Sequence, residues 1–333
     1  MQRVPLQQIH HEFNRVLRKN GLVAEDAELC ARIFAESTRD GVHSHGLNRF
    51  PSFVESFKSD YVDIGASPAK MAAFGSLEQW DGRMGIGLLN ASFCMDRALA
   101  LARQNGLGCV ALKNTNHWMR AGTYGLQAAD AGCIGICWTN TTRLMPPWGS
   151  AERRLGNNPL VVAVPREKGH ILLDMAMSQF ANGRLQIYRD RGEELPLEGG
   201  YDREGQPTTD AGAILDSQRP LPIGYWKGSG LAFVLDLIAT LLSGGQATHD
   251  ISRRRDEARV SQVFIAMDVH SVAGEQVLRQ SVDAIVEDLH QAIPLDESSP
   301  VSYPGERMLK IRRESLEFGV LVDPRCWQQV LDL

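Results

Sequence analysis

The spacing of the apolar residues changes near Lys70, and this change constrains the fold more than any single motif does. Before it, apolar side chains recur at helical intervals over a segment that ends at Asn20-Gly21, over residues 24–39, and on to about residue 59. After it, strand-like and helical runs mix without the regular alternation of a doubly wound sheet. The sequence therefore predicts an α+β fold that is not a Rossmann fold.

The elements beyond Lys70 are predicted from apolar spacing and from Gly, Pro and Asn punctuation. Predicted strands cover residues 71–80, 108–113, 133–138, 160–164, 170–175, 261–269 and 319–322, and predicted helices cover residues 85–104, 122–131, 231–242 and 275–291. Residues 188–221 are polar and patternless, and are predicted to form a long surface excursion. We expect two domains: a small helical region, residues 1–70 with residues 285–333 packed back on it, and a larger mixed-sheet α+β domain, residues 71–284.

The composition is that of an ordinary globular protein. Of 333 residues 43% are hydrophobic and 23% are charged, and the net charge is −5 with no long run of one sign. This balance argues against nucleic-acid binding. The first ten residues lack an apolar core of signal-peptide length. The predicted helix of residues 231–242 is about 12 residues long, too short to span a bilayer, so we expect no membrane partner.

The cysteines indicate the redox compartment. Six cysteines are scattered along the chain without a Cys-x-x-Cys pair: Cys30, Cys94, Cys109, Cys133, Cys137 and Cys326. Buried free thiols explain this distribution better than zinc ligation or disulfides. We expect a protein of the reducing cytoplasm.

A polar loop between the second and third predicted helices carries the densest set of reactive side chains. His43, Ser44, His45, Asn48 and Arg49 lie within seven residues. His45 is a candidate proton donor or acceptor, because the reference pKa of histidine is about 6.5. Arg49 is a candidate clamp for a carboxylate, because a guanidinium donates two parallel hydrogen bonds. Merely solvated loop residues are the simpler alternative.

A second loop repeats this combination. Asn116-His117-Trp118-Met119-Arg120 follows a predicted strand, where loops often carry functional groups. Two loops that each pair a histidine with an arginine favour an anionic substrate, which needs both charge and a proton relay. Taken alone, His117 is equally well explained as a cap for a helix or a backbone group.

A glycine-rich segment, Gly224-Tyr-Trp-Lys-Gly-Ser-Gly230, precedes the predicted helix of residues 231–242. Amide groups at a helix N-terminus, together with the charge of Lys227, suit an anion such as a phosphate. The segment is not a Walker A loop, and no Gly-x-Gly-x-x-Gly follows a strand. The pattern indicates a phosphate-bearing ligand bound outside a Rossmann fold, or simply an exposed lysine at a glycine-rich helix start.

Metal ligation is the competing interpretation of the histidines. His43, His45, His117 and Asp174 are residue types that bind zinc, and such a site would make the chain a metal-dependent lyase or hydrolase acting on a sugar acid. No His-x3-His pair fixes two ligands on one helix face. We therefore predict no metal.

Seven segments together resemble the type-2 malate/L-lactate dehydrogenase family. They span nearly the whole chain, and those that contain tryptophan are far more specific than a short glycine pattern. They are Ser44-His45-Gly46 with Asn48-Arg49-Phe50-Pro51, Asn116-His117-Trp118-Met119-Arg120, Gly135-Ile136-Cys137-Trp138-Thr139-Asn140, Met145-Pro146-Pro147-Trp148-Gly149, Asp174-Met175, Gly224-Tyr225-Trp226-Lys227-Gly228-Ser229-Gly230 and Pro304-Gly305-Glu306.

The resemblance implies a non-Rossmann, nicotinamide-dependent reductase that is a homodimer with its site near the subunit contact. It implies His45 as proton donor, and Arg49 and His117 as groups that bind and polarise the substrate. Residues 71–284 would bind the cofactor, expected to be NAD with NADP as the alternative. The implied cofactor contacts are His170, Ile171, Leu172, Leu173, Asp174, Met175, Ala176, Trp226, Lys227, Gly305, Glu306 and Arg307.

The substrate implied by the resemblance is a 2-keto acid or a diketo sugar acid. Malate, lactate, ureidoglycolate and cyclic imino acids are alternatives within the family. A binding protein without catalytic activity on the same fold is a further alternative from another class.

Overall fold

The computed structural model describes residues 1–253, 256–298 and 300–333. The strands are β1 Gln2–Val4, β2 Ala69–Phe74, β3 Leu77–Asp81, β4 Leu107–Asn116, β5 Ile134–Thr139, β6 Leu160–Val164, β7 Ile171–Met175, β8 Gly200–Tyr201, β9 Pro207–Thr208, β10 Ala258–Met267 and β11 Val320–Val322. The helices are α1 Leu6–Lys19, α2 Ala24–Arg39, α3 Phe50–Ser56, α4 Gly87–Asn105, α5 Gly122–Asp130, α6 Asn182–Arg191, α7 Ala211–Ser217, α8 Trp226–Ser243, α9 Thr248–Ile251, α10 Val269–Ala273, α11 Glu275–His290, α12 Glu306–Phe318 and α13 Pro324–Asp332.

A seven-stranded mixed sheet forms the centre of the molecule, in the order β2-β3-β4-β10-β5-β6-β7. Only β3 and β4 run parallel, and the other neighbours are antiparallel. Successive residues of a strand face opposite sides, so Phe264 of β10 packs under α4 and α5 while Val263 packs under α8. The predicted α+β, non-Rossmann fold is confirmed.

The N-terminal helices and the C-terminal tail share a second core. β1 pairs with β11, and Trp327 and Val330 of α13 are buried with residues of α1, α2 and α3. Stacked and edge-on phenylalanine rings fill the centre of this cluster, with Phe13 and Phe50 4.2 Å apart between ring centroids. The tail therefore packs on the helical region, whereas the domain boundaries at residues 70 and 284 stay a prediction.

Three predicted elements were wrong. The single strand over residues 71–80 is a hairpin, because the chain turns at Gly75, whose φ is +56°. Residues 188–221 are not a plain excursion: α6, α7, β8 and β9 pack around a small core of Leu185, Leu195, Ala211 and Ile214. This core takes its apolar residues from scattered positions, so no periodic pattern marks it.

The third error concerns α8, which begins at Trp226 rather than at residue 231. The glycines of the 224–230 segment therefore lie partly inside the helix. At 18 residues and a mean hydropathy of 1.3, α8 is long and apolar enough to cross a membrane by length and composition alone. The core helices of soluble proteins share this length and composition. The expected length of about 12 residues was too short.

One side of α8 packs on β4, β5 and β10, and the other is an exposed apolar face. Side chains on that face are between 36% and 74% exposed, namely Leu231, Phe233, Val234, Leu237, Ile238 and Leu241. A contiguous patch of this kind commonly marks a surface that another protein covers.

A buried carboxylate ties three distant parts of the chain together. Asp40, which follows α2, accepts hydrogen bonds from Arg39 at 2.8 Å, from Arg120 ahead of α5 at 2.7 Å, and twice from Arg312 of α12, at 2.8 and 2.7 Å. Burial alone would raise the pKa of Asp40, but the hydrogen bonds and charges of these arginines hold it well below its usual range. We call these four residues the Asp40 cluster.

All six cysteines are free, and four of them are buried, as expected for structural thiols. Burial raises the pKa of Cys30, Cys94 and Cys137, which keeps these thiols protonated.

Replacing Asp40 by asparagine is expected to lower the free energy of unfolding by about 3–5 kcal/mol, because three arginines lose their buried counter-charge. The folded-state pKa lies below the unfolded value of about 3.9, so the stabilisation is present above that value and is lost as the pH falls through the folded pKa. Urea denaturation measures both effects. The control is Asp60→Asn, at an exposed aspartate; equal stability of the two variants would contradict this role.

Candidate active site

Buried residues fix the loop between α2 and α3. It forms two short 3-10 turns, His43–His45 and Leu47–Arg49. Gly46, between them, lies so close to α2 that a Cβ would stand 2.5 Å from Thr38 Oγ1. The same oxygen accepts a hydrogen bond from the Leu47 amide at 3.0 Å, and the Leu47 side chain is fully buried. The polar side chains of this loop are therefore presented from a rigid support.

The loop after β4 holds His117 in one tautomer. The Met119 amide donates a hydrogen bond to His117 Nδ1 at 2.9 Å, and Met119 adopts a φ of +61°, which is unusual for a non-glycine residue. Tyr124 anchors the turn by donating its hydroxyl to the Trp118 carbonyl at 2.6 Å. Because Nδ1 accepts, the neutral ring carries its proton on Nε2, which makes that atom a hydrogen-bond donor.

The two loops bring His45 and His117 together. Their rings are nearly parallel, with an interplanar angle of 9° and centroids 5.7 Å apart. Ser44 Oγ lies 3.1 Å from His45 Nδ1. Burial, together with the charges of His117, Arg49 and Arg120, lowers the pKa of His45 to about 4. Burial and the charge of Arg49 lower the pKa of His117 to about 4 as well.

The predicted neutral-range pKa of His45 was therefore wrong for the free protein. Above pH 5 its imidazole is unprotonated, because a cationic ring beside other positive charges and away from water is costly. A bound anion would offset the effect of the neighbouring positive charges and so favour the protonated ring.

A cavity of about 210 Å³ opens beside the two rings. It is lined by Arg49, Ser52, Phe53, Ser56, Tyr61, Val62, Ile86, Gly87, Asn116, His117, Met119 and Glu257. His45 is not among the lining residues, but its ring centroid lies 5.7 Å from that of His117, which does line the cavity. Arg49 and His117, two of the predicted site residues, thus share one cavity of a size that suits a small organic acid.

Arg120 does not serve the site in the way its loop suggested. Its side chain is 3% exposed, and its guanidinium binds Asp40 at 2.7 Å. It therefore belongs to the Asp40 cluster and acts on His45 only through its charge. Of the two predicted His-plus-Arg loops, only the first contributes its arginine to the cavity; the catalytic roles of His45, Arg49 and His117 stay predictions.

Two of the predicted cofactor segments lie side by side. Residues 170–176 run along β7, the edge strand of the sheet, and the Leu172 amide donates to the Pro304 carbonyl at 2.9 Å. Gly305, with a φ of +96°, comes so close that a Cβ would stand 3.0 Å from the Leu172 amide nitrogen. Gly305 then caps α12, at whose start Arg307 is exposed.

The third cofactor segment follows from the same strand. The chain beyond β7 pairs with the approach to α8, since Ile223 donates to Met177 and Gln179 donates to Leu221. Trp226 and Lys227 are both exposed in the first turn of α8, with Lys227 Nζ 6.0 Å from the Trp226 ring centroid. A helix N-terminus that carries a lysine and an exposed indole fits a dinucleotide, which offers a pyrophosphate and flat rings.

Asp174 links the cofactor segments to the histidine loops. Its Oδ2 accepts a hydrogen bond from the Gly122 amide at 2.9 Å, just after the His117 loop. Desolvation by the surrounding protein raises the pKa of Asp174, against the charge of Arg120 and the Gly122 hydrogen bond. The His45 loop also lies close to α6, since a Cβ on Gly183 of α6 would stand 3.6 Å from Ser44 Cβ.

Two predicted cofactor residues are already engaged within the chain. His170 accepts from the Arg166 amide at 3.0 Å and pairs with Asp130 at 2.9 Å. Glu306 lies 3.0 Å from His290 Nε2. Their side chains hold the segments in place, which leaves the backbone and the exposed Arg307 as the predicted cofactor groups.

Sequence reasoning missed Glu257 and the serines of α3. Glu257 lines the cavity from the start of β10, some two hundred residues from the Arg49 loop, and no motif surrounds it. Burial raises its pKa, opposed by the charge of Arg49. Only the sheet order brings it to the site, so no local signal was available.

A zinc site receives no support from the geometry. In the described part of the chain, no three His, Cys, Asp or Glu side chains come together as metal ligands would. The rings of His45 and His117 are stacked nearly parallel, with centroids 5.7 Å apart.

Comparison with known proteins accords with this geometry. The family described as malate/L-lactate dehydrogenase matches residues 4–331. The chain is 44% identical over 329 residues to 2,3-diketo-L-gulonate reductase of Citrobacter koseri, covering 98% of this chain and 99% of that protein.

Two solved structures share the whole fold. Sulfolactate dehydrogenase from Methanocaldococcus jannaschii has a TM-score of 0.91 at 26% identity, covering 99% of this chain and 96% of that one. Δ1-Piperideine-2-carboxylate reductase from Pseudomonas syringae has a TM-score of 0.88 at 28% identity, covering 100% and 99%. With the site geometry and a family match from end to end, the chain belongs to the malate/L-lactate dehydrogenase family of nicotinamide-dependent oxidoreductases.

Proposed function

We propose that this protein reduces the 2-keto group of 2,3-diketo-L-gulonate to give 3-dehydro-L-gulonate, with NADH as cofactor and His45 as proton donor. The observation that carries the proposal is the cavity in which Arg49 and His117 meet beside His45. The substrate is supported by the 44% identity to the Citrobacter koseri reductase. Each catalytic role below belongs to this proposal.

The reaction needs charge and a proton at one oxygen atom. Reduced nicotinamide, when bound, supplies the hydride that adds to the keto carbon. The carbonyl oxygen then becomes an alkoxide, which must be stabilised and protonated. His117 donates its Nε2–H to that oxygen, and His45 delivers the proton.

His45 is the better proton carrier of the two rings because of their hydrogen bonds. Protonating His117 would place hydrogen on Nδ1 and break the bond from the Met119 amide. Among the described residues, the hydrogen-bond partner of His45 Nδ1 is the Ser44 hydroxyl, which can either donate or accept. A proton on His45 therefore costs no hydrogen bond.

Arg49 places the substrate. Its side chain lines the cavity, and within the described part of the chain it makes no ion pair. A guanidinium that meets a carboxylate in two-pronged fashion fixes which carbonyl faces the nicotinamide. The added negative charge also favours the protonated form of His45, so substrate binding itself loads the acid.

We propose a homodimer in which a second copy covers the exposed face of α8. The face is apolar over several turns, and the cofactor residues Trp226 and Lys227 begin the same helix. A two-fold contact along α8 would bring the subunit boundary next to the site. A monomeric mass in sedimentation equilibrium would contradict it.

Free cysteines and a nicotinamide cofactor support a cytoplasmic location.

A panel of keto acids tests the function. The purified protein is expected to show a kcat/KM with NADH for 2,3-diketo-L-gulonate about tenfold or more above that for pyruvate, oxaloacetate or Δ1-piperideine-2-carboxylate, which is ~1.4 kcal/mol or more of transition-state discrimination. The same panel with NADPH should be slower. Loss of reduced-cofactor absorbance measures each rate. Reduction of none of these compounds would refute the proposed function.

Replacing His45 by alanine is expected to lower kcat by about 10²–10⁴-fold, the usual contribution of a general acid. Quenching of tryptophan fluorescence by NADH should persist, because the variant leaves the cofactor segments intact. The control is His249→Ala, whose side chain is 59% exposed. Wild-type turnover without the His45 imidazole would remove it from the mechanism.

In Arg49→Lys the main change should be a higher KM, because lysine lacks the two-pronged contact.

Ligand binding should be coupled to proton uptake. The pKa of His45 is lowered to about 4 in the free protein, so the ring is neutral at pH 7. An anion bound beside it raises this pKa, and oxamate binding to the NADH complex is expected to take up as much as one proton. Calorimetry in two buffers of different ionisation enthalpy measures the number. Uptake should disappear in His45→Gln; equal uptake in both proteins would assign the proton elsewhere.

A further inference from the structure

We propose that Glu257 is a specificity-determining residue of this site: it accepts hydrogen bonds from the hydroxyl groups of a polyhydroxylated acid and excludes acids with a second carboxylate. The inference rests on the proposed function for the identity of the site as a substrate pocket, and it adds the chemical class that the pocket selects. It assigns a role to a carboxylate that the mechanism does not use.

Glu257 and Arg49 give the cavity two opposite charges that do not cancel. Both side chains line it, and the charge of Arg49 acts on Glu257 across the cavity without a direct ion pair among the described residues. Arg49 serves the carboxylate next to the keto group, and Glu257 therefore faces a different part of the ligand. A substrate that satisfies both needs one anionic end and hydrogen-bond donors farther along its chain.

The polar groups around the cavity share this preference for donors. The hydroxyls of Ser52 and Ser56 donate to the backbone carbonyls of Arg49 at 2.9 Å and Phe53 at 2.6 Å, which leaves their oxygen lone pairs as acceptors. Asn116 Nδ2 is used up by three backbone carbonyls at 2.8–3.0 Å. These carbonyls also fix the orientation of the amide, since its oxygen could not replace the nitrogen there.

The remaining atom of Asn116 completes the argument. Its Oδ1 is buried and has no hydrogen-bond partner among the described residues, although the side chain lines the cavity. A buried acceptor without a partner is costly, and a ligand hydroxyl would relieve that cost. Burial raises the pKa of Glu257, and the charge of Arg49 opposes this by favouring the carboxylate form.

The outcome is discrimination by charge and by unpaired polar groups. The hydroxyls of a sugar acid satisfy Glu257 and Asn116 Oδ1, whereas lactate has nothing to offer them. The second carboxylate of malate meets a like charge, which is a repulsive element against the wrong ligand. Sites that hydrogen-bond a substrate hydroxyl reject analogues without it far more strongly than apolar pockets reject a methylene.

The test compares the binding of L-gulonate and L-malate to the NAD-loaded protein by calorimetry. In wild type we expect the Kd for gulonate to be at least about tenfold below that for malate, consistent with a hydrogen bond to a charged group. Glu257→Gln should weaken gulonate, tighten malate, and shrink the ratio of the two Kd values about tenfold or more. Glu257→Asp keeps the charge and should keep the rejection of malate. Glu204→Gln, at an exposed glutamate in the β8–β9 turn, should leave the ratio as in wild type.

A ratio that Glu257→Gln leaves unchanged, or two affinities that shift by one common factor, would overturn the proposal. Because a ratio is insensitive to the fraction of folded protein, partial misfolding of the variant does not blur the result. Failure of the proposed function is separate: it would appear as no reduction of any keto acid by wild type, even if the binding ratio responds to Glu257.

Discussion

The carboxylate of Asp40 is the constraint on which the arrangement of the molecule depends. It lies at the end of α2, immediately ahead of the loop that carries His45 and Arg49, and it holds Arg120 from the second loop and Arg312 from the tail. A buried carboxylate without cationic partners is strongly destabilising, because its charge has lost its hydration. Meeting this need for cationic partners joins the ends of the two polar loops and α12 at one point.

The same concentration of arginines sets the chemistry of the site. Positive charge from Arg49 and Arg120, added to burial, keeps His45 neutral in the free protein. His45 is therefore mostly unprotonated until an anion binds beside it, so its protonation and substrate binding depend on one another. The hydrogen bond from the Met119 amide to His117 gives the two rings different roles. His117 is held as a donor from Nε2, whereas His45 is free to change its charge.

Local patterns predicted much of the secondary structure, since α2 and α5 begin and end, and α1 ends, within about two residues of where periodicity and punctuation put them. They failed where the signal is not periodic: at the Gly75 turn, in the small core around Leu185 and Ile214, and at the start of α8. In the site, His45, Arg49 and His117 stood out by clustering or by resemblance. Glu257 did not, because it is an isolated carboxylate that belongs to no recognisable motif or spacing pattern in the sequence.

The sequence by itself determined the fold class, the family and the two polar loops, because apolar spacing and dense reactive motifs are local properties of a chain. Only the tertiary structure decided which residues of these two similar loops line the cavity and which have a structural role. It paired Arg120 with Asp40, left Arg49 lining the cavity, and brought Glu257, the residue before β10, into the same cavity as Ser52 and Ser56 of α3. The physical reason is that partner choice and desolvation are set by neighbours hundreds of positions apart, and those neighbours exist only once β10 lies between β4 and β5.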